Sequence, residues 1–217
     1  VIKIKIIQDF IDKRYNKMLP KYITIHETGS YNIGADAKRH NRYLHSIDTD
    51  NKCWHFTVDC TSIYQHMPID YNCWHAGDGL RGKGNRESIS IEMCVNENGD
   101  YEKTLENTIW LCRKLIAENP SIKDVVQHNY WKSSKYPNGK DCPHILRSTD
   151  RWGEFKRVIY EDKKHWAEVH YESLLDKGIK IHEKRFDDYM TRGEVFALLD
   201  RILESKSLGS SNSKFLY

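Results

Sequence analysis

Apolar and polar residues alternate most strictly over Ser88-Ile89-Ser90-Ile91-Glu92-Met93-Cys94-Val95. A period of two marks a strand whose faces meet different surroundings. Ile89, Ile91, Met93 and Val95 form its apolar face; Ser88, Ser90, Glu92 and Cys94 form the other, so Glu92 faces away from the main apolar packing. Residues 22–26 repeat the pattern, with Ile23 and Ile25 on one side and Tyr22, Thr24 and His26 on the other. His55–Asp59 and Ser62–His66 read as two strands of a hairpin, and Val125-Val126 as a short strand leading into His128. The period becomes helical over 104–118, where Leu105, Ile109, Cys112 and Ile116 line one face, Thr104 is the expected N-cap, Glu106 lies in the first turn and Pro120 follows. Weaker helical patterns cover 8–18, 33–45 and 150–164. Gly77, Gly79, Gly82 and Gly84 predict a loop over 77–85, and Lys, Asn, Gly and Pro predict another over 129–141.

Beyond residue 160 the pattern changes. Trp166, Val169, Leu174 and Leu175 predict one helix, ended near Gly178. Thr191 and Glu194 fit a capping box that opens a second, with Val195, Leu198, Leu199 and Ile202 on its apolar face. Two short helices bury little area alone, so this part is expected to lean on another surface. The Ser/Lys/Asn-rich end reads as a frayed tail. The 217 residues suffice for one full domain and a small one. The expected division is a main domain over 1–160, a small helical module over 161–205 and a flexible tail over 206–217.

Composition narrows the function classes. Hydrophobic residues make up 39%, charged residues 30%, and mean hydropathy is -0.74, which predicts a soluble globular protein. No run of apolar residues is long enough to span a membrane. A net charge of +3 offers no argument for nucleic acid, but it tolerates an anionic polymer such as a cell wall. Thirteen Tyr and 6 Trp can build sugar- or peptide-binding surfaces or fill the core. The six cysteines are spread singly with no CxxC, which predicts reduced thiols. The run Val1-Ile2-Lys3-Ile4-Lys5-Ile6-Ile7 lacks the longer apolar core and small-residue cleavage site of a secretory signal, so a cytoplasmic start is expected.

Candidate chemistry centres on His26, His128 and Cys142. Two imidazoles and a thiolate can hold one zinc ion and leave its fourth position open, which distinguishes a catalytic zinc from a structural one. HExxH is absent, so such ligands must converge from different elements. Glu92 is a candidate general base. Lys140, two residues before Cys142, would stabilise a developing oxyanion on the same loop. On spacing alone the signal is modest, since eleven histidines and six cysteines allow many triples.

Six segments occur in an order that resembles a known family. They are Ile23-Thr24-Ile25-His26-Glu27-Thr28, Trp54-His55-Phe56-Thr57-Val58-Asp59, Trp74-His75-Ala76-Gly77, Ser90-Ile91-Glu92-Met93-Cys94, Val126-Gln127-His128 and Gly139-Lys140-Asp141-Cys142-Pro143. Residues 20–160 resemble the zinc-dependent N-acetylmuramoyl-L-alanine amidases of the amidase-2 type, which include phage endolysins and peptidoglycan recognition proteins. The resemblance implies an α/β fold with a central mixed β-sheet flanked by helices, and hydrolysis of the amide between N-acetylmuramic acid and L-alanine in bacterial peptidoglycan. It implies Zn2+ on His26, His128 and Cys142, with Glu92 as base and Lys140 as catalytic cation. His75 lies beside the cleft in similar proteins and is a candidate substrate contact, with a structural hydrogen-bonding role the favoured reading. Glu27 departs from the family pattern. Asp59, Tyr64 and the 77–85 loop are further candidate groove residues. Residues 165–205 resemble a single S-layer-homology-type module, which implies binding to a secondary wall polymer, with Arg192 the expected contact, or pairing with a second copy. A wall hydrolase followed by such a module resembles a phage endolysin held in the host cytoplasm until holin-made lesions release it to the wall; the alternatives are a bacterial autolysin of the same activity or a non-catalytic peptidoglycan-binding protein, and Cys142 favours the enzyme.

Overall fold

Ile23, Ile25, Ile89, Ile91 and Met93 are fully buried on one face of a six-stranded sheet. The computed structural model describes residues 4–12, 16–46, 52–161, 168–179 and 191–200. The strands are β1 (Ile6–Gln8), β2 (Tyr22–Glu27), β3 (Phe56–Val58), β4 (Ile63–Gln65), β5 (Ser88–Met93) and β6 (Asp124–Gln127), in the spatial order β1-β4-β3-β5-β2-β6. Among the strand pairs of the described residues only the β3–β4 hairpin is antiparallel; the others are parallel. This is the mixed sheet that the resemblance implied.

The helices are α1 (Ala37–His45), α2 (Lys83–Glu87), α3 (Tyr101–Glu118), α4 (His144–Ser148), α5 (Trp152–Tyr160) and α6 (Glu168–Asp176). Leu105, Leu111, Cys112 and Leu115 of α3, with Phe155 and Ile159 of α5, join the isoleucines of β2 and β5 in one apolar cluster. Each such side chain taken from water contributes about 1.5–3 kcal/mol. The opposite face carries Thr24, His26, Ser88 and Ser90, all buried as well. Register brings two candidate residues together on this face: in the parallel β2–β5 pair His26 lies opposite Glu92, and in the β3–β5 pair Thr57 does.

Several local expectations need correction. Residues 8–12 and 16–18 are not helical; instead Asp9 and Ile11 donate backbone N–H groups to Gln65 and His66, so the chain continues along β4. Tyr15 lies outside the described residues. The N-cap of α3 is Asp100, whose carboxylate accepts from the Lys103 N–H at 2.9 Å, not Thr104, which is buried one turn inside. The glycine loop ends early because α2 begins at Lys83. Asp59 is no groove residue. Its buried carboxylate accepts from the N–H groups of Thr61, Ser62 and Ala37 at 2.6–2.9 Å, tying the β3–β4 turn to the start of α1. Tyr64 sits on β4, separated from β5 by β3.

The chain divides into two compact units, Val1–Glu161 and Asp162–Tyr217. In the second, α6 ends at Asp176 and is closed by Gly178 (φ +80°), with the Gly178 and Ile179 N–H groups donating to Leu175 and Leu174. The Thr191–Glu194 capping box forms: the Thr191 N–H donates to Glu194 Oε2 at 2.7 Å and the Glu194 N–H to Thr191 Oγ1 at 3.3 Å, and residues 192–200 are helical. Trp166, Phe186 and 201–203 lie outside the described residues. No helix among the described residues is long and apolar enough to cross a membrane.

Candidate metal centre and active site

Three elements bring His26, His128 and Cys142 together. His26 is the penultimate residue of β2, His128 follows β6 directly, and Cys142 lies on the loop before α4. Because β2 and β6 are parallel neighbours, their C-terminal ends finish side by side. One ligand atom from each residue falls within 4.8 Å of the other two, close enough to share one ion after small adjustments.

Their surroundings fix them. His128 donates Nε2–H to the Ala76 carbonyl at 3.1 Å, which leaves its Nδ1 unprotonated for a ligand bond. His26 Nε2 is 3.0 Å from Nδ1 of His75. Cys142 Sγ accepts from the Glu27 N–H at 3.4 Å. Burial holds the His26 imidazole well below its usual range, with His128, His75 and Lys140 adding to the effect. It lowers His128 to about 4. Burial and the Glu92 carboxylate push the Cys142 thiol far up. Neutral imidazoles are ready to ligate. A thiol held neutral by burial is also a group that a divalent cation would convert to thiolate. The donor set therefore fits zinc.

Glu92 sits beside the cluster, its Oε1 3.8 Å from His26 Nδ1 and its side chain 16% exposed. Burial, and secondarily the Glu27 carboxylate, push it up to about 8, against the pull of Lys140. Its Oε2 is buried without a partner among the described residues. Lys140 lies above Gly77: a Cβ there would come within 3.4 Å of Nζ, and Gly77 has φ +70°. Its ammonium is 4.8 Å from the Tyr136 ring centroid. His75 contacts His26 but its Nε2 has no partner among the described residues. Arg192 is exposed in the first turn of the 192–200 helix of the second unit.

Sequence reasoning missed the residues that hold this arrangement. Asn129 donates from Nδ2 to Lys140 O at 2.8 Å and from its backbone to Cys142 O at 3.0 Å, stitching the Lys140–Cys142 loop to His128. Gly139 must be glycine: at φ +76°, a Cβ would lie 2.1 Å from Asn129 O. Asn85, buried, accepts from the His75 and Ala76 N–H groups at 2.9 and 2.7 Å and so sets the carbonyl that meets His128. Glu27, the departure from the family pattern, accepts from Tyr101 Oη at 2.6 Å and the Ile145 N–H at 2.8 Å, anchoring α4 behind Cys142. The only sequence signal for these was position next to a candidate ligand or inside a glycine-rich turn.

The profile of the family described as N-acetylmuramoyl-L-alanine amidase, amidase-2 type, matches residues 15–145. The chain belongs to that family. It is 49% identical over 162 residues to N-acetylmuramoyl-L-alanine amidase XlyA of Bacillus subtilis (strain 168), covering 72% of this chain and 51% of that protein. It is 49% identical over 143 residues to CwlH, an amidase of the same name and organism, covering 65% and 54%. The chain thus spans about half the length of these relatives. Among solved structures, the catalytic domain of XlyA matches with a TM-score of 0.65 at 47% identity, over 72% of this chain and 99% of that domain. PlyL matches with a TM-score of 0.62 at 31% identity, over 74% and 98%.

Proposed function

We propose that this member of the amidase family is a peptidoglycan hydrolase that cleaves the amide between N-acetylmuramic acid and the L-alanine of the stem peptide, with zinc held by His26, His128 and Cys142. The observation that carries this reading is the convergence of those three ligand atoms beside a buried, unpartnered carboxylate oxygen of Glu92. A zinc ion there would polarise a carbonyl and bring the pKa of water down to about 7. Glu92 takes the proton from the attacking water and later delivers it to the leaving amine. A carboxylate beside the three ligand atoms, with one buried oxygen unpartnered among the described residues, is positioned for both transfers. Lys140 places positive charge where the carbonyl oxygen becomes anionic. His75 keeps the His26 ring oriented.

Zinc-loaded protein on purified Gram-positive walls should release peptides with new N-terminal alanine, read by mass spectrometry. A chelator should stop the release and zinc restore it. Products cut within the glycan, or between two amino acids, would refute the assignment.

The likeness to a solved structure described as a mutant endolysin from Bacillus subtilis, at 46% identity, supports an endolysin role. That role places the protein in the host cytoplasm until holin-made lesions pass it to the wall. In the second unit, taken as a wall-binding module over 161–205, the 192–200 helix exposes Val195, Phe196 and Leu199. That open apolar strip favours a module completed by a partner surface, either a wall polymer met through Arg192 or a second copy. Wall sedimentation with Arg192→Gln tests the first; an unchanged bound fraction argues for the second.

A further inference from the structure

Glu27 ends the row that Ile23 and Ile25 begin on the apolar side of β2. Side chains alternate along a strand, so Glu27 points away from the face that carries His26. Its register partner on β5 is Met93, which is fully buried. A carboxylate at the end of an apolar row loses hydration and needs hydrogen-bond donors in return. It has one for each oxygen. Oε1 accepts from Tyr101 Oη at 2.6 Å, and Oε2 accepts from the Ile145 N–H at 2.8 Å.

Both donors belong to elements that fix something else. Tyr101 opens α3, whose N-cap Asp100 accepts from the Lys103 N–H. Ile145 lies in the first turn of α4, three residues after Cys142. Glu27 therefore bridges the start of α3 to the segment that carries the thiol. Its backbone N–H reaches the same residue, donating to Cys142 Sγ at 3.4 Å. The three candidate ligands differ in what holds them. His26 belongs to the β2–β5 ladder and His128 follows β6 directly. Cys142 lies on a loop with no ladder of its own. Its place depends on links made by other residues, Asn129 on one side and Glu27 on the other.

We propose that Glu27 is a positioning residue for the metal centre, its bridge between Tyr101 and Ile145 holding Cys142 beside His26 and His128 and so setting how tightly zinc is kept. The proposal rests on the zinc reading above. Partners that orient a ligand without touching the metal change metal affinity by about 10–100-fold. A loop cysteine freed from one anchor must be ordered again whenever the ion binds, and that ordering cost is taken from the affinity.

The test measures the zinc dissociation constant of the full chain by competition with a chromophoric chelator, with near-ultraviolet circular dichroism on the same samples to confirm folding. Cobalt-loaded protein gives a second readout, since a thiolate-to-metal absorption band reports Cys142 itself. Glu27→Ala should weaken zinc binding by about 10–100-fold and weaken the band. Glu27→Gln, which still accepts from the Ile145 N–H and meets Tyr101 Oη, should recover most of both. Tyr101→Phe should fall between wild type and Glu27→Ala, and it decides the matter if Glu27→Ala does not fold. Glu102→Gln alters the neighbouring exposed pair with Arg151, which ties the same end of α3 to the start of α5, and should leave zinc binding unchanged. Wild-type affinity in Glu27→Ala or Tyr101→Phe, no recovery in Glu27→Gln, or an equal loss in Glu102→Gln overturns the positioning role while the zinc reading stands. A wild-type chain that binds no zinc overturns both.

Discussion

On one face of the sheet Ile23, Ile25, Ile89, Ile91 and Met93 meet α3 and α5. On the other, Thr24, His26, Ser88, Ser90 and Glu92 meet histidines, asparagines and loop carbonyls. Both faces are largely buried, but by different means. The apolar face needs only shape and area. The polar face needs a partner for every buried atom, and it has nearly all of them. His55 bonds Ser90 and the Tyr71 carbonyl, His66 bonds Thr57 and Asn41, and Trp131 donates to Thr24. Buried atoms lacking a partner include Thr28 Oγ1, His40 Nε2, His75 Nε2 and Glu92 Oε2, which belong to the metal cluster, the ring beside it or a groove that Glu92 also lines. A satisfied polar network specifies a unique arrangement; the unpartnered atoms adjoin the proposed site.

The largest expected effect separates the faces outright. Cys142→Ser should lose most bound zinc and nearly all activity while the apolar face stays intact. Elemental analysis beside near-ultraviolet circular dichroism checks both halves, and full zinc occupancy in the variant would remove Cys142 from the ligand set. Next, Glu92→Gln should keep zinc and the fold but reduce the turnover rate by about 10²–10⁴-fold, the usual weight of a general base. A turnover rate near wild type would end its role.

Ile91→Ala attacks the other face. Stability should fall by about 2–5 kcal/mol in a denaturant titration, with activity per folded molecule retained. A larger loss of activity than of folded protein would mean that the faces are coupled.

The gentlest probe is pH. Burial lowers His55 to about 4, against about 6.5 for a free histidine. The unfolded chain therefore binds the extra proton between those values. Stability should be flat above pH 6.5 and fall by on the order of 3 kcal/mol from this group as pH drops to 4. His66, lowered to about 3, extends the decline. Thermal melting of His55→Gln against wild type reads the difference; identical acid limbs would place the sensitivity elsewhere.

Strand β5 shows how far sequence reaches. Its strict alternation placed Ile89 and Ile91 in the core and Glu92 on the opposite face, and both hold. The hydrogen bonding of Asp9 and Ile11 to Gln65 and His66 was invisible, because Phe10, Ile11, Tyr15 and Met18 fall at helical spacing and the partner residues lie far along the chain. The start of α3 was misplaced because Asp100 and Thr104, one turn apart, are both competent caps. In the candidate site the ligand triple was readable only through the ordered set of six segments. Asn129, Asn85 and Glu27 were not readable at all, since a hydrogen-bonding side chain carries no period and its partners are known only once loops meet.

The sequence by itself determined the alternating strands, the long amphipathic helix, the residue types able to bind zinc and the family they resemble. Each of these is local or follows from order along the chain. Tertiary structure alone decided that His26 faces Glu92 across parallel strands, that Gly139 lets Asn129 pin the Lys140–Cys142 loop, and that Glu27 bridges Tyr101 and Ile145 behind Cys142. Those are relations between residues tens of positions apart, created by strand register and close backbone approach, and no local pattern encodes them.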